Sequence, residues 1–139
     1  MALNRSFVIG GALFLCTVFS AASALGFADW LGFKINAATA QSATIIIALS
    51  VAAFSHLAIS TRRNLERGMT QSEGVKAALE TDARPIVLTL CRTSVGFLTL
   101  LSADAPPFKQ LGLLISIGSL LSLFCGLVLL PALFQLLKI

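Results

Sequence analysis

Charge is scarce in this sequence: 12% of its 139 residues are Asp, Glu, Lys or Arg, where a soluble domain carries roughly 25%. With 57% hydrophobic residues and a mean hydropathy of +0.93, the chain has too few charges to clothe a water-exposed surface, which excludes a soluble globular domain. It belongs in lipid. Histidine is almost missing, His56 being the only one. The three cysteines, Cys16, Cys91 and Cys125, fall one in each of three apolar runs and show no CxxC spacing. That set builds no metal or disulfide site, no cofactor is expected, and the cysteines read as small packing residues. The net charge of +4 does not point to nucleic acid. Lys and Arg are concentrated in one loop between apolar runs, where membrane orientation accounts for them.

What is present is apolar length. Four runs, residues 7–25, 43–60, 85–101 and 111–137, approach or exceed the ~20 helical residues that cross a hydrocarbon layer of about 30 Å. The first also imitates a secretory signal, since Arg5, an apolar stretch and the small residues SAASALG together resemble a cleavage site. Against that reading, apolar character resumes at once through Trp30, Leu31 and Phe33, with an aromatic suited to the membrane interface. The expected fold is therefore an all-α integral membrane protein of four transmembrane helices in a single membrane domain.

The connections are short except for residues 61–84, which hold five of the ten basic residues and four of the six acids. Thr70 and Glu73 have capping-box spacing, so a short helix is expected from Gln71 to Leu79 or Glu80. Val75, Ala78 and Leu79 lie on one side of it, and Lys76, Glu73 and Glu80 largely on the other, which suits a helix lying along the membrane surface. Arg62, Arg63, Arg67, Lys76 and Arg84 all belong to this loop and make it cytoplasmic by the positive-inside rule. Both termini then share that side, in agreement with Arg5 and Lys138. The loop ADAPPF is a tight turn, because its two prolines prevent helix continuation. Pro131 is expected to kink or end the last helix.

Small residues recur at four-residue spacing in two spans: Gly118, Ser122 and Gly126 in the fourth, and Ala48 and Ala52, continued by His56 and Ser60, in the second. Such stripes let helix backbones approach closely in lipid, where packing replaces the hydrophobic effect as the source of association. Ser55 and His56 do not form a nucleophile pair, since adjacent helical residues point about 100° apart. No hydrolase motif is present, and the chain is not expected to be an enzyme.

Several segments in combination, GFKINAATA, VAAFSH, ERG, TSVGF, and DAPPF followed by LG, resemble the resistance-nodulation-division (RND) superfamily. The resemblance is to its MMPL-like predicted exporters with a sterol-sensing-type membrane domain. It covers nearly the whole chain and corresponds to the third to sixth helices of one half-transporter. It implies a bacterial inner-membrane permease that exports lipids or other hydrophobic compounds on the proton gradient. A complete family member has about twelve spans and two large extracytoplasmic domains. The loops here are too short for a porter domain, so the chain reads as a truncated or degenerate copy not competent alone.

The resemblance also locates the proton chemistry. In the family the second of these helices carries an aspartate that takes up and releases the transported proton, and the matching residue here is Ala53. Every acid of this sequence lies in a loop or at a span edge, so His56 is the one proton-relay candidate left in an apolar run. Its position near the interface equally suits a structural hydrogen bond. Arg92 stands where the family's T-x-x-T-T pattern has threonine, here TLCRT, at a depth of roughly 10 Å. An arginine at the membrane centre costs about 2.5 to 3.5 kcal/mol on insertion scales, and its stem can snorkel to recover much of that. Drift in a sequence no longer selected for transport and contact with an anionic lipid headgroup are both open readings. Membrane lipids are the expected partners, together with a second copy of the chain or other transporter parts. The alternative function is a small non-transporting bundle that binds a partner or senses lipid.

Overall fold

The computed structural model describes residues 2–34 and 36–136. The chain forms α1 (Ala2–Trp30), α2 (Ala37–Glu66) and α3 (Gln71–Leu98), the last ending in a 3-10 turn (Thr99–Ser102). Then come α4 (Pro106–Phe124), a π-helical turn (Cys125–Leu129) and α5 (Leu130–Leu136). Among the described residues there is no strand. Four helical stretches, Phe7–Trp30, Thr39–Glu66, Gln71–Ser102 and Pro106–Leu136, are long and apolar enough to cross a membrane.

Two glycines and two caps produce the hairpin corners. Gly32 has φ +72° and Gly68 has φ +87°, left-handed conformations that favour glycine. After α1, the Phe33 N–H bonds to the Ala28 carbonyl (2.9 Å) and the Gly32 N–H to that of Asp29 (2.9 Å). After α2, Met69 bonds back to Asn64 (3.3 Å) and Gly68 to Leu65 (3.1 Å). Both are Schellman endings, which satisfy the last carbonyls of a helix. α2 restarts on Asn36, whose side chain accepts from the Thr39 N–H (3.0 Å) while the Thr39 hydroxyl oxygen accepts from the Asn36 N–H (2.8 Å). α4 starts on Pro106, whose missing N–H needs no partner in a first turn.

The surface helix expected between the second and third spans is not a separate element. Its start at Gln71 stands, but the helix does not stop at Leu79 or Glu80. It continues through Pro85 to Leu98. The reason is one uninterrupted stripe at helical spacing: Val75, Ala78, Ile86, Leu90 and Ser94 are all buried, with Asp82 half-buried on the same line. No glycine stop intervenes. Val75 and Ala78 join a core cluster with Leu57, Ala58, Leu130 and Phe134, so this stretch packs into the bundle. Five charged residues between 71 and 84 place it outside the apolar layer, at the end of a helix about 42 Å long.

At the start of α3 the Glu73 carboxylate accepts from the Thr70 hydroxyl (2.7 Å) and the Thr70 N–H (3.1 Å). These bonds, the hydroxyl's first, hold the Glu73 carboxyl below its ordinary value. A lowered acid stabilises the folded form above its unfolded value and loses that contribution as pH falls through the folded one. Amide protection in the first turn of α3, measured against the intrinsic exchange rate at each pH, is therefore expected to fall in acid. Glu73→Gln should remove that pH dependence.

Pro131 neither ends the last helix nor leaves it unaltered. The chain opens into the π turn just before it, with the Leu130 N–H bonded to the Cys125 carbonyl. The wider turn accommodates a ring that would clash with the carbonyl four residues earlier. At this end of the bundle the Gln71 side chain donates to the Phe134 carbonyl. The start of α1 lies beside the end of α2, so the early part of α1 and the end of α5 gather with the basic connection. The Arg5 side chain and Lys138, which support the orientation in the sequence, lie outside the described residues, as does residue 137 of the fourth expected span.

Candidate functional site

The centre of the bundle is the contact between α2 and α4. A Cβ on Gly118 would collide with Ile46, reaching its Cγ1 at 2.6 Å, and would lie 3.4 Å from the Ala24 Cβ of α1. A Cβ on Gly126 would lie 2.7 Å from the Phe54 ring. Between these two contacts the Ser122 and Ser50 hydroxyls meet at 2.7 Å, both fully buried. The pairs 118 with 46, 122 with 50 and 126 with 54 advance together, so α2 and α4 run parallel in one register. Ser50 gives its proton to the Ile46 carbonyl (2.7 Å), so the proton between the two hydroxyls comes from Ser122. Gly118, Ser122 and Gly126 thus form one face of a tight internal seam.

The matching stripe on α2 is not the one expected. Ala48 and Ala52 are exposed, and the residues that meet α4 are Ile46, Ser50 and Phe54. Ala48 lies about 160° around the helix from both Ile46 and Ser50, and Ala52 about 120° and 160° from them, so the row that includes His56 points away from α4. A second seam joins α3 and α4. The Ser116 hydroxyl donates to the Ser94 carbonyl (2.8 Å) and that of Gly112 (2.8 Å), and Ser94 donates back to the Ser116 carbonyl (3.3 Å). At the end away from the basic connection, the Asn36 amide donates to Gln110 (2.8 Å), tying the first corner to the start of α4.

The titratable candidates stand apart from these seams. Ala53 is half-buried, packed against the cluster that holds Phe54 and Leu57. His56 is exposed on the flank of α2, and Arg92 is exposed on α3, two residues from buried Leu90 and buried Ser94. The structure therefore does not bring His56, Arg92 and the Ala53 position together on one inward face. The one salt bridge among the described residues is the exposed Arg62–Glu66 contact at 2.9 Å, worth little in water. No group of three metal-binding side chains occurs among the described residues.

Asp82, expected beyond the end of the short helix, lies on α3 together with Glu73 and Glu80. Asp82 Oδ2 is buried without a hydrogen-bond partner among the described residues. The four- and three-residue spacing from Val75 through Ala78 to Ile86 was the available signal, since position 82 falls on that line.

Four long apolar helices packed through serine and glycine seams define a multi-pass membrane protein. The chain belongs to the MMPL family, whose model matches residues 1–137. No curated protein and no solved structure matches it.

Proposed function

We propose that this chain supplies four helices of an RND/MMPL-type exporter of lipids or hydrophobic compounds and does not couple transport to protons by itself. The observation that carries this reading is the α2 interior. The position where the family keeps its proton-carrying aspartate holds Ala53, and the groups on its buried side are the alcohols Ser50 and Ser122. Coupling needs an intramembrane group that changes charge during the cycle, and alcohols do not ionise at physiological pH. His56 and Arg92, both exposed, sit where a further helix or lipid would meet them. On this reading the chain works beside other transporter parts or a second copy, without catalysis of its own. Its setting is a bacterial inner membrane with the basic end cytoplasmic.

A second reading, a small non-transporting bundle that binds a partner or senses lipid, draws on the seams, since α4 closes on α2 and α3 with residues of this chain alone. A size measurement on native membranes separates the two. An antibody against residues 61–84 is expected to detect a product well above 14.6 kDa. A 14.6 kDa chain that also runs free of any larger complex in native electrophoresis would overturn the exporter reading and leave the small bundle.

A further inference from the structure

An open groove of about 200 Å³ lies between α1 and α2 at the basic end of the bundle. We propose that it seats one acyl chain of an anionic phospholipid, with the lipid phosphate held by Arg62. The groove is independent of proton coupling and does not rest on the exporter reading.

Its walls are hydrocarbon. Ile9, Gly10 and Leu13 line it from α1, and Ala58 and Ile59 from α2. The one hydroxyl in the lining, that of Ser55, is committed to the Ala52 carbonyl of its own helix at 2.9 Å. Glycine keeps the space open, since a Cβ on Gly10 would meet nothing within 4 Å. From Ser55 to Arg62 the groove follows α2 for about 10 Å, the length of part of an acyl chain. The apolar lining and this length suit part of a single hydrocarbon chain.

Charge selects the headgroup. Arg62 lies at the end of the lining where the apolar run gives way to the basic stretch that also holds Arg63 and Arg67, the depth at which headgroups sit. A guanidinium accepts phosphate in a bidentate fork. Arg62 already donates to Glu66, but both side chains are more than half exposed. A guanidinium carries five N–H donors, so a phosphate can share it with the contacts Arg62 already makes. A basic side chain beside the membrane surface favours anionic lipid by about fivefold.

The test is native mass spectrometry of the full chain in detergent, titrated with phosphatidylglycerol and phosphatidylcholine of identical acyl chains. Phosphatidylglycerol is expected to be retained about fivefold over phosphatidylcholine. Arg62→Gln should bring the two near parity while the protein still holds lipid. Gly10→Phe fills the groove and should weaken both by roughly tenfold, whereas Gly26→Phe, at an equally open position near the far end of α1, should leave both unchanged. Helical circular dichroism checks the fold, and Gly10→Leu replaces the phenylalanine variant if that one fails the check. Equal retention of the two lipids by the unaltered chain would overturn the proposal. So would unchanged retention in the folded groove-filling variant.

Discussion

Gly112→Leu is expected to destabilise the bundle by about 3 kcal/mol, the upper range for forcing extra carbons into a closed contact. The first of those carbons already sets the sign. A Cβ on Gly112 would lie 2.5 Å from the Phe97 carbonyl oxygen and 2.8 Å from the Leu100 Cβ. The nearer obstacle is backbone, which cannot rotate aside, so α4 must move away from α3. Moving it also stretches the reciprocal Ser94 and Ser116 bonds one turn along, each worth about 0.6 kcal/mol between membrane helices. Gly118→Ala should cost less, because its obstacle is the far end of the Ile46 side chain. Gly96→Ala, where a Cβ meets nothing within 4 Å, should be neutral or stabilising by up to about 1 kcal/mol through helix propensity. Denaturant titration of the chain in micelles, followed by helical circular dichroism, gives all three values. Equal costs at positions 112 and 96 would show that α3 and α4 do not meet in this register.

The contrast among these glycines shows what the sequence disclosed and what it hid. Spacing alone picked out Gly118, Ser122 and Gly126 as one stripe, since a four-residue repeat of small side chains has few uses in lipid other than close packing. Spacing could not say which stripe they meet. On α2 the Ala48 and Ala52 row and the Ile46, Ser50 and Phe54 row share the same period, and only the second faces α4. Small size favours contact but does not compel it: Ile46 and Phe54 fill the room that the glycines vacate. The helix stops were legible and went unread. Gly32 precedes the Asn36 cap by four residues and Gly68 precedes the Thr70 cap by two, the stop and start signals of a corner.

The long α3 was hidden for a different reason. Pro85 and the charges around it look like the end of a surface helix, and the inward line through Val75, Ala78, Asp82 and Ile86 emerges only when the polar and apolar halves are taken as one element. Continuity changes the setting of Asp82, which a loop would leave in water and which this helix turns toward packed neighbours. The candidate site shows the same division. Composition revealed that the apolar runs lack acids, but the outward placement of His56 and Arg92 depends on how the helices rotate about their axes, and that is set by the α2–α4 and α3–α4 seams.

Placing an acid at position 53 of α2 should make this fold respond to pH. Ala53 is half-buried against Leu57 and Phe54, so Ala53→Asp puts a carboxylate where solvation is poor, at an expected cost of about 3 kcal/mol for the charged form. Ala53→Asn adds nearly the same volume without the charge, and the difference between the two variants isolates the electrostatic part from crowding. That difference should be largest near neutral pH and should close as the pH is lowered and the carboxyl takes up its proton, because stability follows the difference in protons bound by the folded and unfolded chains. Stability titrations of both variants at a series of pH values read it directly. Equal stabilities at every pH would mean that water reaches position 53 freely, and the reading of α2 as a coupling helix without its acid would fail. A gap that closes in acid would show that one carboxyl at this position ties protonation to helix packing, the link that the proposed role of α2 requires.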